Sequence, residues 1–541
     1  MAEKILIERP AARGHGDLAT NLAMIAAGAV RRPPRELAAE LADDARQATE
    51  LAGHIETVEI AGPGFINFTL SNKSLLGAAR EALAAGEGFG AGTAPKPEKI
   101  LLEFVSANPT GQLHAGHARY AAYGDSLRRI LSFAGHDVTT EFYINDYGSQ
   151  MDLFGRSLAS RYAQELGRDV PFPDKGYLGD YPVHLAMRII AEAGDRYLEE
   201  ADPELAPGAG DFFKLIGRDL VLEEMRRVLE EFRVTFDNWF SERTLHESGA
   251  VKQSLAELEK AGEMYEKDGA LWLSTTRYGD DKDRVLVKEN GELTYIAADI
   301  AYHRDKLSRG FDRLINIWGA DHHGYVPRMK AALEALSHDS EKLEVIIGQL
   351  VNIVEMGERK QMSKRAGTMV TLSELIDSIG VDAARFFLVD RSHDSPMDLD
   401  IDKARMQSEE NPVYYVQYAH ARISSILRKA REAGAGADRP LDAGPRPELA
   451  VQERDLILKI LEFPGAAASA AMTRGPQRLT AYARDLAAIF HVFYHNCPVI
   501  KAESATAASR LALCRLTRNV IARCLGLVGV SAPEAMQRAG D

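Results

Sequence analysis

Residues 100–136 read ILLEFVSANPTGQLHAGHARYAAYGDSLRRILSFAGH, an apolar run, a turn, and a long Ala-, Leu- and Arg-rich period. Ile100 to Val105 is short and apolar with polar borders, the pattern of a buried parallel strand. Asn108, Pro109, Thr110 and Gly111 carry turn chemistry, and Gly135 is placed to close the following helix. Strand, loop and helix in that order predict the first unit of a nucleotide-binding α/β sheet. His114 and His117 stand three apart at the predicted helix start, where unpaired N–H groups and the dipole favour an anion. Gly116 between them lets a flat base or ribose come close to the backbone. By itself an H-x-x-H pair is more often a plain helix cap.

Outward from this unit, 541 residues exceed one core, and 45% hydrophobic with 27% charged residues is ordinary globular composition. No apolar run approaches the ~18 residues of a membrane span, and the first residues lack a signal-peptide pattern, so a cytoplasmic chain is expected. Cys497, Cys514 and Cys524 form no C-x-x-C pair and are expected to be buried thiols. The net charge is −14, yet residues 401–541 hold 19 Lys and Arg against 14 Asp and Glu, so a basic tail follows an acidic body.

Residues 1–92 alternate strand and helix patterns, with GHGDLATN and a Gly-Pro-Gly turn between two strands, and predict a small α+β module. The Pro- and Lys-rich stretch at 91–99 reads as a linker. Residues 137–150 give a second strand whose polar end offers Asp146 and Gln150. A helical, charged stretch at about 151–235 reads as an insertion, and FDNWFSER at 236–243 returns to the sheet. A strand, an Asn290-Gly291 turn and a helix follow. Tyr295 and Asp299 share a face of that helix, a pattern that solvated surface also gives. LINIWGADHHGY at 314–325 is a further strand and loop; the adjacent Asp321, His322 and His323 diverge and lack further ligands at helical spacing, so no metal site is expected. Residues 343–356 are apolar and β-branched. The loop after it holds Arg359, Lys360, Lys364 and Arg365. From about 400 the chain reads as helical, and Tyr414, Tyr415, Tyr418, His420, Arg422 and Arg428 interleave aromatic and basic groups. That pattern suits either stacked RNA bases or an ordinary buried face.

His114-Ala115-Gly116-His117, after Asn-Pro-Thr-Gly, resembles the first signature of class I aminoacyl-tRNA synthetases of the arginyl, bacterial type. Gln361-Met362-Ser363-Lys364-Arg365, about 245 residues on, resembles the second, with Gln in place of its first Lys. Gly16-Asp17-Leu18-Ala19-Thr20-Asn21 and Gly62-Pro63-Gly64-Phe65-Ile66-Asn67 resemble segments of the arginyl N-terminal module, before which relatives usually carry further residues.

The resemblance implies a Rossmann-like catalytic core over 93–398 with the insertion, a tRNA-contacting α+β module over 1–92, and an all-α anticodon-binding domain over 399–541. It implies ligation of L-arginine to tRNA(Arg) through an adenylate, with ATP and its Mg²⁺, by a cytoplasmic monomer that activates arginine only with tRNA bound. His114, His117 and Lys364 are then catalytic. Ala107, Asn108, Pro109, Thr110, Gly111, Gln112, Leu113, Ala115, Gly116, Asp321, His322, Met362, Ser363 and Arg365 would hold ATP. Glu103 and Asn108 would lie at the backbone of the amino acid, and Glu242, Tyr295 and Asp299 at the guanidinium, whose five fixed donors demand acceptors in fork geometry. The competing readings are a class I enzyme for cysteine or glutamate, against which the absence of a cysteine-rich pattern counts, and an RNA-binding paralogue without activation, which Gln361 favours.

Overall fold

The computed structural model describes residues 5–10, 13–201, 209–360, 370–441 and 448–536. At its centre five parallel strands stand in the order Leu343–Gly348, Arg313–Gly319, Lys99–Glu103, Asp137–Ile144, Asn238–Ser241. Chain order runs outward in both directions from Lys99–Glu103, so the sheet reverses between that strand and Arg313–Gly319. In doubly wound sheets the crevice at the carboxyl end of such a reversal is where ligands bind. The helix Ala115–Ala134 starts there, and Gly135 closes it at φ 106°, as expected.

The first strand ends two residues earlier than its apolar run. Val105 and Ser106 take φ of 69° and 35°, left-handed values that a β-branched residue adopts only under tertiary constraint. Ser106 supplies it: its hydroxyl donates to Glu103 Oε1 at 2.8 Å and accepts from Tyr143 N–H at 3.1 Å.

Helices Ser149–Glu165, Asp180–Ala193, Leu198–Ala201 and Ala209–Glu231 form the insertion between the second and third strands. A three-stranded antiparallel sheet, Met264–Lys267, Ala270–Leu273 and Arg284–Val287, precedes the helix Tyr295–Ser308. The stretch 343–356 holds two strands. Leu343–Gly348 belongs to the central sheet, whereas Val351–Glu355 pairs with Met397–Asp400 and Glu358–Arg359 in another. Arg119, buried, explains the change: its guanidinium donates to the carbonyls of Gln349 (2.9 Å), Ser392 (2.8 Å) and Ser395 (2.9 Å), taking up oxygens that leave the ladder.

The N-terminal module is an antiparallel sheet, Ile7–Glu8, Leu18–Thr20, Phe65–Leu70 and Ile55–Ala61, against helices Leu22–Val30 and Pro34–Gln47. Its Asp17 accepts Leu70 N–H and the guanidinium of Arg454, both at 2.7 Å, which docks the module on the C-terminal helix Val451–Leu461. The 91–99 stretch lies along the end of the Ala115–Ala134 helix, Gly92 and Ala94 donating to Phe133 and Ala134 carbonyls. Helices Pro412–Glu432, Val451–Leu461, Phe463–Met472, Gln477–Asn496 and Ser504–Leu527 make the C-terminal layer, and its three cysteines are buried thiols. No described helix is long and apolar enough to cross a membrane.

Candidate active site

The two histidines meet at the start of the Ala115–Ala134 helix. His114 is the N-cap; its Nδ1 accepts Gly116 N–H at 3.1 Å, while His117 Nδ1 accepts His114 N–H at 3.2 Å. The rings stack with centroids 3.8 Å apart. With both Nδ1 atoms accepting, the neutral rings carry their protons on Nε2, so each offers a donor on its far side. The pair therefore caps the helix and presents two N–H groups at once. A Cβ on residue 116 would lie 3.0 Å from His114 Cε1, so Gly116 serves the His114 ring.

The preceding loop is ordered by its own chain. Ala107 bridges Ile144, Asn108 Nδ2 donates to Gln150 Oε1 at 2.9 Å, and Thr110 N–H donates to Asn108 O at 2.8 Å. Pro109, Gly111 and Gln112 complete the turn, and Leu113 and Ala115 are buried beneath it. The far end of the second basic loop lands on this join. Ala115 N–H donates to Val370 O (2.9 Å), Leu372 N–H donates to Leu113 O (2.8 Å), and His114 pairs with Thr371. Lys364, with Gln361, Met362, Ser363 and Arg365, lies outside the described residues. Asp321 and His322 sit in a 3₁₀ turn, Ala320–Tyr325, after the strand beside the reversal; both are exposed, and 3.5 Å separates them.

Three carboxyl groups occupy the adjoining ground. Glu103 is buried with both oxygens engaged, Oε2 by Lys306 and Oε1 by Ser106. Lys306 also donates to Asn316 at 3.0 Å. Any share of Glu103 in ligand binding is thus added to these bonds. Glu242, at the head of the short helix Glu242–Glu247, is buried, and its carboxyl is pushed up to about 7, first by desolvation and then by the charge of Asp299. Asp299 lies deep with partial solvent access and is pushed up to about 6, mainly by burial, with Glu103 adding to it and Tyr325 opposing. The hydroxyl on Asp299 is that of Tyr325, 26 residues away. Tyr295, first in its helix, is 71% exposed and makes no hydrogen bond to Asp299.

Tyr143 and Tyr325 carry no local sequence signal; each reaches the acids only through the fold. Tyr143 hydrogen-bonds Glu242 from the second strand, which opposes the rise of that carboxyl. Asp146 accepts Ser241 Oγ (2.8 Å) and Arg243 N–H (3.1 Å), tying the second strand to the third. Among the described residues no cluster of three His, Cys, Asp or Glu could hold a metal ion. In the C-terminal layer the six aromatic and basic residues part company. Tyr414 and Tyr418 stack, Arg422 lies 4.9 Å over Tyr494, Tyr415 faces His491, and Arg428 points to solvent, whereas His420 is buried against Pro533 O at 2.8 Å.

Three family models match the chain: "Arginyl tRNA synthetase N terminal domain" over residues 1–70, "tRNA synthetases class I (R), catalytic domain" over 80–423, and "DALR anticodon binding domain" over 416–536. The chain is 48% identical over 536 residues to the arginine–tRNA ligase of Geobacillus kaustophilus, and 49% identical over 537 residues to that of Moorella thermoacetica. Each alignment covers 98% of this chain and 94% of the relative. The Thermus thermophilus arginyl-tRNA synthetase shares the fold at a TM-score of 0.76 and 24% identity, over 98% of this chain and 96% of that one.

Proposed function

The chain belongs to the arginyl-tRNA synthetase family and ligates arginine to tRNA, and we propose that the residues above divide the work as follows. Glu242 and Asp299 receive the guanidinium of L-arginine, with Tyr295 at the mouth and Glu103 and Asn108 toward the amino acid's backbone. The observation that carries this is the pair of crowded carboxyls, held at about 7 and about 6 with no lysine or arginine on Glu242 among the described residues. Such groups are poised to take up a fixed positive charge, and a guanidinium keeps its charge at any working pH.

ATP lies across the 107–116 turn, with Asp321 and His322 on one side and Met362, Ser363, Lys364 and Arg365 on the other. The pairing of 370–372 with 113–115 supports this, because it brings the basic loop's end to the imidazoles. The arginine carboxylate attacks the α-phosphorus in line. Charge then grows on the phosphate oxygens, where His114 and His117 Nε2–H groups and the helix N-terminus donate. Lys364 neutralises the departing pyrophosphate, with Lys360 or Arg359 supplying the charge that Gln361 lacks. Magnesium, which adds charge neutralisation at the phosphates, would arrive with ATP, since the described residues offer no cage for it. The arginyl group then passes to the terminal adenosine of tRNA(Arg). Residues 1–92 and 399–541 contact that tRNA, the latter through the Tyr414, Tyr418, Arg422 and Tyr494 face, and the enzyme is a cytosolic monomer.

Aminoacylation with arginine, ATP and total tRNA tests this reading, with lysine as control. A pocket built to pair a charged fork rejects an analogue without it by roughly 10⁴-fold, so lysine should give no product. His117→Ala or Lys364→Ala should lower adenylate formation by about two to three orders of magnitude with the fold retained. A rate within threefold of the parent would overturn those roles.

A further inference from the structure

One buried group beside the acids has no task in this scheme. His246 lies one turn beyond Glu242 on the helix Glu242–Glu247, and its side chain is 13% exposed. Tyr147 covers it face to face, the ring centroids 3.7 Å apart and the planes 10° from parallel. Its Nε2 is buried without a hydrogen-bond partner among the described residues and stands 3.7 Å from Glu242 Oε1, beyond hydrogen-bonding distance. A buried ring nitrogen left unmatched is costly, and such atoms collect where a ligand or a change of charge completes them.

We propose that His246 is a positioning residue for arginine: when the guanidinium docks, the Nε2–H of His246 closes on Glu242 Oε1 and fixes the ionised carboxylate in its binding rotamer. The proposal rests on the reading of Glu242 as a guanidinium ligand. A closure of about 0.7 Å suffices, within the play of two side chains on adjacent turns. The charge balance favours it most in the bound state. Around Glu242 stand Tyr143 from the second strand, Asp146 from the turn after it, and Asp299 from the helix Tyr295–Ser308. None of these groups is a cation, so up to about pH 7 Glu242 keeps its proton in the empty pocket and needs no further donor. A bound guanidinium drives that proton off, and the new carboxylate then calls for donors on its remaining lone pairs. Tyr143 can supply one and His246 another. Burial holds the His246 ring below its ordinary pKa, so it donates as neutral imidazole and adds no repulsion to the cation. Tyr147 fixes the plane of the ring from outside.

Arginine KM and kcat measured across pH for His246→Phe, His246→Gln and Glu242→Gln test the proposal. Phenylalanine keeps the stack on Tyr147 and removes the donor; glutamine places an amide N–H near the position of Nε2. His246→Phe should raise the KM for arginine roughly tenfold, the loss of one hydrogen bond to a charged group, with kcat within about twofold. The pH at which that KM begins to climb should move upward, because the carboxylate has lost a stabilising donor. His246→Gln should recover most of both effects. Parental KM and pH midpoint in His246→Phe, with Glu242→Gln impaired, would overturn the proposal and leave His246 as packing beneath Tyr147. Equal losses of KM and melting temperature in both His246 variants would do the same. A parental KM in Glu242→Gln would instead remove the guanidinium reading itself, and this inference with it.

Discussion

Lowering the pH from 8 to 6 should weaken arginine binding far more than ATP binding. The guanidinium does not titrate in this range, so the dependence belongs to its acceptors, which must be ionised to hold it. Glu242 sits at about 7 and Asp299 at about 6. Taken together, roughly nine-tenths of empty pockets carry both charges at pH 8, and roughly one in twenty at pH 6. The apparent KM for arginine should therefore rise about 20-fold over those two units while its value at high pH levels off. Pyrophosphate exchange at saturating ATP and tRNA, with arginine varied at five pH values, measures this directly. Glu242→Gln supplies the internal control. Its KM should be raised at every pH, and its remaining pH dependence should shrink to about twofold, the share left to Asp299. An arginine KM flat between pH 6 and 8 in the parent, or an unchanged slope in Glu242→Gln, would refute the argument.

Three further outcomes follow from the same contacts. Because the folded state raises the Glu242 carboxyl from 4.5 to about 7, it holds that proton in a range where the unfolded chain has lost it. The penalty is absent below pH 4.5 and complete above about 7, so Glu242→Gln should raise the melting temperature at pH 8, with a ceiling of about 3 kcal/mol, and leave it unchanged near pH 4.5. Gly116→Ala sets a methyl 3.0 Å from His114 Cε1; the ring must give way by a few tenths of an ångström, and adenylate formation should fall about tenfold with little change in thermal melting. Arg385 is fully buried, bonded to Asp125 and to the Phe232 and Val528 carbonyls (2.9 and 3.1 Å); Arg385→Met should cost about 3–5 kcal/mol in denaturant unfolding and show that the C-terminal helix is fastened to the Ala115–Ala134 helix.

What the sequence made legible is what chemistry writes locally. The apolar run, the turn residues and the 3.6-residue period around His114 name a strand, a loop and a helix because each rests on neighbours in the chain. The Gly-Pro-Gly hairpin and the helical insertion are of the same kind. The parts that were not legible depend on distant partners. Nothing in LEVIIGQLVNIVE marks a break at 349–350; the break exists because Arg119, 230 residues earlier, takes the Gln349 carbonyl. Asp17 in the GDLATN motif gives no hint of Arg454, 437 residues away, though that bond, with Arg9 on Asp455, helps to seat the N-terminal module. The Tyr295/Asp299 spacing was visible, but the hydroxyl that bonds Asp299 comes from Tyr325, on an element whose position is set by the sheet.

The acidic pocket also explains why the strained turn before the first signature persists. Glu103 ends the first strand among other carboxyls, and Lys306 and Ser106 are the groups that hold it in place. Ser106 reaches Glu103 only because Val105 and Ser106 bend the chain through left-handed values, at a cost on the order of 1–3 kcal/mol per residue. The same bend carries the chain toward Asn108 and the imidazoles. Relaxing it would free the Glu103 oxygen and shift the signature loop in one movement, so the amino-acid side and the nucleotide side of the crevice are coupled through two residues. Ser106→Ala separates the two effects, because it removes the hydroxyl while leaving the loop its sequence. If the hydroxyl holds the bend, this variant should raise KM for arginine and for ATP together; an effect on arginine alone would show that the turn stands without it.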